Sequence, residues 1–271
     1  MSYFTLKNGE KIYYEDTGEG DNVLVMLHGW TSSHSVYEEP VALLKKKARC
    51  IIYDHRGHGG SKEANSGSPD MKTLASDLHE LLTGLDLDNV NLLGWSMGAG
   101  VVMTYLEEFG TERLKSVILC DMSPKQMNDD EWKLGLYKGA YTQENVRADA
   151  GKPFFKLYRE FAVAAIPKLG SIPGFLVNPK LKKRLKECDE LVLRSLSVSM
   201  KSQDHRESFE GLTIPLSYFY ADPGSLFSPA LAEWYAKNVP TFNKAVKFEN
   251  ATHMFISEQP GRFAEEVAAL L

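Results

Sequence analysis

Two periods of apolar residues alternate along the chain. Brief runs rich in Val, Ile, Leu and aromatics, each bounded by turn residues, predict β-strands at Ile12–Asp16, Val23–His28, Cys50–Asp54, Val90–Gly94, Val117–Asp121, Leu216–Tyr220 and Ala245–Phe248. Between them, Leu74–Leu85, Gly98–Phe109, Ala230–Asn238 and Gly261–Leu271 carry apolar residues at helical spacing, and Gly110 is placed to close the second of these helices. Such alternation predicts an α/β fold with a mostly parallel sheet flanked by helices. Over residues 124–205 it stops. That stretch is charged and helix-prone, with Glu131-Trp132, Phe154-Phe155, Tyr158 and the segment Leu181–Leu196. Because it leaves the carboxyl end of one strand and returns before the next, it is expected to form a helical cap over the sheet edge where ligands bind.

Composition narrows this picture. A length of 271 residues, 43% hydrophobic and 25% charged, suits one globular domain over 1–271, with the cap 124–205 inserted in it. A net charge of −5 gives no general attraction to phosphate backbones or anionic lipid, so neither nucleic acid nor a membrane is an expected partner. The opening Met1-Ser2-Tyr3-Phe4-Thr5-Leu6-Lys7 lacks the basic and apolar regions of a signal peptide, and no stretch reaches spanning length, which predicts a cytoplasmic location. Cys50, Cys120 and Cys188 are odd in number and widely spaced, and two lie in apolar runs, so they are expected as free buried thiols. No histidine pair has zinc spacing, and neither a metal nor a cofactor is expected.

The candidate chemistry centres on Gly94-Trp95-Ser96-Met97-Gly98, between the run Val90-Asn91-Leu92-Leu93 and the helical segment Gly98–Phe109. A pentapeptide of this kind also suits a glycine-rich turn with a capping serine. The strand before it and the helix after it favour a nucleophile instead: small residues at 94 and 98 permit a sharp turn that lifts the Ser96 hydroxyl above the sheet. The new helix then points N–H groups at the reacting centre.

Together with this turn, His28-Gly29-Trp30 and Asp54-His55-Arg56-Gly57-His58-Gly59-Gly60-Ser61 make the chain resemble the α/β-hydrolase superfamily over nearly its whole length. Within it, the likeness is to small bacterial esterases and cofactor-free haloperoxidase-like enzymes. The resemblance implies an oxyanion hole from the backbone N–H groups of Trp30 and Met97. It also implies that His253, in the loop after the last strand, is the general base. His28, Trp95 and Trp132 are candidates for lining the substrate pocket, with His28 also shaping the oxyanion turn, and His34 is a candidate for its rim. Asp54, His55, Arg56 and His58 look structural, while His79 and His205 are expected to be solvated.

The acid departs from the family pattern. Related esterases carry it in the loop after the strand before last, here Tyr220-Ala221-Asp222-Pro223-Gly224-Ser225, and the usual position falls on Gly224. Two candidates remain. Asp121 ends the strand next to the nucleophile's, as the acid does in haloalkane dehalogenases, and is preferred over Asp222 because triads are defined by geometry. A turn or capping role is the alternative for Asp121, and Glu249 and Asp204 are weaker fallbacks.

The expected function is a cofactor-free serine hydrolase, cleaving a small to medium ester or related acyl substrate through an acyl-enzyme. Peracid formation would be a secondary activity of the same site. The alternative is a ligand receptor on a hydrolase scaffold, with slow or no turnover.

Overall fold

Eight strands form one sheet in the order β1-β2-β4-β3-β5-β6-β7-β8 in the computed structural model, which describes residues 2–18, 20–171 and 184–271. The strands are β1 (Ser2–Thr5), β2 (Lys11–Asp16), β3 (Val23–Leu27), β4 (Arg49–Tyr53), β5 (Val90–Trp95), β6 (Leu114–Cys120), β7 (Leu216–Gly224) and β8 (Phe242–Thr252). From β4 through β8 all neighbours are parallel, while β1 with β2 and β2 with β4 pair antiparallel.

Central strands β3 and β5 lie under helices on both faces, which is why their sequences read as unbroken apolar runs. Successive residues serve opposite cores. Val25, Leu27, Leu92 and Leu119 face α2 (Met71–Gly84) and α3 (Met97–Phe109), with α1 (Glu38–Leu44) on the far side of the sheet. Leu24, Met26, Leu93 and Cys120 share the other core with Phe263 and Val267 of the last helix, Pro260–Ala268. The thiols of Cys50, Cys120 and Cys188 are all free and buried.

Two expectations needed correction at the edges. β1 was not predicted, because its short, largely exposed sequence has no apolar alternation. β7 and β8 run on past the predicted ends, pairing as far as Gly224 with Thr252. Lys244, Lys247 and Glu249 interrupt the apolar signal of β8, a placement that also protects an edge strand from pairing with other chains.

Between β6 and β7, the segment 124–142 is irregular where helix was expected. Asn128 explains how it holds together without backbone periodicity. Its Nδ2 donates to the carbonyls of Leu136 (3.2 Å) and Tyr141 (2.8 Å), and its Oδ1 accepts the Gly135 N–H (2.8 Å). Helices follow at α4 (Gln143–Ala150), α5 (Phe154–Ala165) and α6 (Glu190–Ser202). Asp189 caps α6 by accepting from Leu191 N and Val192 N. Of the helical segment predicted over Leu181–Leu196, residues 181–183 lie outside the described residues.

Candidate active site

Parallel strands deliver the chemistry-bearing residues to one edge. The turn Gly29-Trp30 follows β3, Ser96 follows β5, Asp121 follows β6 and His253 follows β8. The chain reverses its direction of strand addition at β3, with β4 on one side and β5 on the other, and such a switch point leaves a crevice at the carboxyl ends.

Ser96 occupies that crevice in a strained conformation, φ 54° and ψ −121°, worth on the order of 1–3 kcal/mol. Its neighbours explain how the strain is held. A Cβ on Gly98 would lie 2.2 Å from the Leu27 carbonyl oxygen, and one on Gly94 would lie 2.4 Å from that of Gly98, so α3 packs directly on β3 and β5. The Ser96 N–H donates to Cys120 O at 2.9 Å, while its carbonyl accepts from Ala99 N (2.9 Å) and Gly100 N (3.2 Å).

His253 is fixed from three sides. Its N–H donates to Gly224 O (3.0 Å), its carbonyl accepts the Trp95 indole N–H (3.0 Å), and its Nδ1 lies 2.7 Å from Asp121 Oδ2. Nε2 is buried and has no hydrogen-bond partner among the described residues. Asp121 is fully buried at φ 48°, and its second oxygen accepts the Ser225 hydroxyl at 2.5 Å. Ser225 is itself positioned by the Phe227 N–H, which donates to its Oγ at 2.8 Å.

The usual acid position is sterically closed. A Cβ on Gly224 would come within 2.7 Å of Ala251 O and 2.8 Å of Thr252 Cα, because β7 and β8 are still paired there. Asp222 stands opposite Glu249 in that ladder, and no contact joins it to His253. Glu249 pairs with Lys247 (3.0 Å) and Asp204 with Arg206 (2.7 Å). The structure therefore brings Ser96, His253 and Asp121 together and leaves the other carboxylates outside.

Neither the Trp30 nor the Met97 N–H has an acceptor among the described residues. A layer of histidines shapes the Trp30 turn. His28 Nδ1 donates to Gly29 O (2.8 Å) and its Nε2 accepts from His55 N (3.1 Å), while His58 Nε2 accepts from Thr31 N (3.3 Å). Burial drives all three toward the neutral form, helped by neighbouring imidazoles at His28 and His55: His28 lies well below the usual range, His55 is lowered to about 3 and His58 to about 4. Below them Asp54 accepts from His34 N (2.6 Å), His34 Nδ1 (2.9 Å) and Gly60 N (2.7 Å), and Arg56 makes a two-pronged pair with Asp77 at 2.6 Å.

Two chambers meet at Ser96, and Trp30 and Phe161 line both. One, about 450 Å³ including its open mouth, is walled by Met122, Leu136, Leu157, Met200 and Phe227, with Gln126, Ser197 and Lys201 among its polar side chains. The other, about 470 Å³, also contains His253, Trp95, Tyr158, Ile166 and Arg184.

Several expected placements do not hold. Trp132 lines neither chamber. It is buried against Trp234 (ring centroids 5.4 Å apart), with its indole N–H donating to Lys125 O (2.8 Å). His28 sits beneath the oxyanion turn instead of in the pocket, and His34 is bound to Asp54 away from the rim. Of the two histidines expected to be solvated, His205 is not, while His79 is half-buried. His205 is buried 2.8 Å from Glu107, and the ring of His79 stacks on Phe109 at 4.1 Å. Sequence reasoning missed Ser225 and Arg184. Ser225 looks like any hydroxyl in a turn, and nothing in the sequence shows which cap residue reaches the crevice.

The family model described as "alpha/beta hydrolase fold" matches residues 22–260. A Synechocystis sp. protein carrying the provisional name non-heme chloroperoxidase is 45% identical over 154 residues, 55% of each chain. The chain spans about half the length of the curated relatives it matches. Among solved structures, an esterase of Exiguobacterium antarcticum has a TM-score of 0.81 at 23% identity, covering 99% of this chain and 98% of that one. Esterase RhEst1 of Rhodococcus sp. ECU1013 has a TM-score of 0.73 at 26% identity, covering 99% and 96%. No helix among the described residues is long and apolar enough to cross a membrane.

Proposed function

The chain belongs to the alpha/beta hydrolase fold family, and from that premise we propose that it is a serine hydrolase cleaving carboxylic esters through an acyl-enzyme on Ser96. One observation carries this reading. His253 gives its Nδ1 to Asp121 at 2.7 Å, while its Nε2 is left without a partner on a residue that lines the same chamber as Ser96. An imidazole oriented in this way takes a proton on Nε2 and is stabilised as imidazolium by the carboxylate behind it.

In the proposed sequence, the Ser96 oxygen attacks the ester carbonyl as its proton passes to His253. The oxyanion that forms is met by the N–H groups of Trp30 and Met97, a stabilisation worth about 3–4 kcal/mol per donor in sites of this kind. His253 returns the proton to the departing alkoxide, leaving an ester on Ser96. Water, deprotonated by His253, attacks that ester, and the serine is restored. Within the described part of 124–205, Leu136, Leu157, Phe161 and Met200 act as the cap and close the first chamber over the serine. The apolar walls suit a small to medium, largely apolar substrate.

Hydrogen peroxide in place of water would give a peracid and free the serine. The chloroperoxidase names of the curated relatives favour including it as a co-substrate. The test is repeated turnover of a neutral chromogenic acetate, lost in Ser96→Ala. Labelling of Ser96 by a fluorophosphonate without turnover of any ester would point instead to a binding protein on the same scaffold.

A further inference from the structure

The two chambers are chemically unequal. His253 must hand its proton to the departing alkoxide, so the alcohol part of the ester lies on the histidine side of Ser96. Only the second chamber contains both Ser96 and His253, whereas the first contains Ser96 alone. The first therefore holds the acyl group and the second the alcohol. This assignment rests on the proposed esterase reading.

Their cations differ too. Lys201, in the acyl chamber, is paired with Asp149 at 3.0 Å. Arg184, in the alcohol chamber, reaches across from the cap to the oxyanion turn, where its Nη2 donates to Ser32 Oγ at 2.9 Å. Among the described residues it makes no ion pair, and no Asp or Glu lines this chamber. A guanidinium stays charged in proteins and presents a planar fork of donors, one of which is used among the described residues. The surrounding walls are Tyr158, Ile166 and Leu169, which weaken the competition from water.

We infer that the alcohol chamber selects esters whose leaving group carries a carboxylate, held by Arg184 with Ser32 as its brace. A single planar anion matches a single guanidinium fork. A phosphate dianion would need a second cation, and none lines the chamber among the described residues.

The test compares acetates of a series of ω-hydroxyalkanoic acids with acetates of the matching amides, on wild type and Arg184→Gln. At one chain length, wild type is expected to favour the carboxylate roughly tenfold in kcat/KM, mainly through KM, and Arg184→Gln is expected to collapse that ratio toward one. Ser32→Ala, which keeps the cation and removes its brace, should reduce the ratio less. Equal turnover of acids and amides by wild type, or a ratio that survives Arg184→Gln, would overturn the inference while leaving the esterase reading intact. Calorimetric titration with the free ω-hydroxyalkanoates separates the two ideas. Arg184-dependent binding without turnover of any acetate would support the subsite and contradict the serine-hydrolase mechanism, and no binding would refute the subsite.

Discussion

Ser225 and Asp121, 104 residues apart, are joined by a 2.5 Å hydrogen bond from the serine hydroxyl to Oδ1, while Oδ2 of the same carboxylate lies 2.7 Å from His253 Nδ1. Both oxygens of a fully buried acid are thus committed, one to the histidine and one to the loop where relatives keep their acid. Ser225→Ala leaves Oδ1 without its donor and frees the carboxylate to rotate. We expect kcat for a neutral acetate to fall about tenfold, with KM changed little, from the loss of a charged hydrogen bond. An unchanged kcat would show that Asp121 is held by its own backbone alone.

Replacing the acid itself should be far more damaging. Asp121→Asn is expected to lower kcat by about three to four orders of magnitude, because the amide no longer stabilises the imidazolium and supports the wrong tautomer. Asp222→Asn, altering a group in the β7–β8 ladder with no contact to His253, should stay within about twofold of wild type. Steady-state rates of the two variants decide the matter, and the reverse order would assign the acid to Asp222.

The buried imidazoles predict a dependence of stability on pH. His55 and His58 have folded-state pKa values lowered by burial to about 3 and about 4, below the 6.5 of an exposed histidine. As pH falls through 6.5, the unfolded chain takes up protons that the folded protein refuses. Their contribution is therefore complete above that pH and is lost as pH falls toward 4 for His58 and toward 3 for His55, by about 1.4 kcal/mol per pH unit for each group. Both ring nitrogens of His55 lack partners, so His55→Phe removes no hydrogen bond. In urea melts between pH 7 and 5, this variant should show a shallower decline than wild type. A parallel decline would mean that other groups carry the acid sensitivity.

Arg56 offers a contrast between stability and chemistry. Its guanidinium is buried and bound by Asp77 through both oxygens, with Glu10 on the remaining side. Arg56→Met would leave Asp77 buried without a counter-charge and cost about 3–5 kcal/mol. Chemical denaturation should show that loss, while the activity of the molecules still folded at low temperature remains near wild type. A drop in kcat without loss of stability would place this turn in the catalytic machinery.

These contrasts show which parts of the molecule its sequence made legible. Strands β3 and β5 could be read because burial on both faces keeps them apolar without interruption, and Ser96 because Gly94 and Gly98 have backbone where a Cβ would be. Gly224 was equally informative: a glycine at the position where the family pattern has its acid leaves Asp121, beside the nucleophile's strand, as the preferred carboxylate. Other features left no periodic trace. Asn128 substitutes for the backbone partners of a helix in the cap, so Trp132 was placed in a pocket when it packs on Trp234. His205 reads as solvated because the group that covers it, Glu107, comes from another element. Ser225 became meaningful only once β6 and β7 were known to lie side by side.

Mass spectrometry of the protein after brief exposure to a fluorophosphonate tests the central claim most directly. One adduct is expected, on the peptide carrying Ser96, with its rate of formation falling by orders of magnitude in His253→Ala. An adduct on another residue, or equal labelling of wild type and His253→Ala, would contradict an activated Ser96 nucleophile.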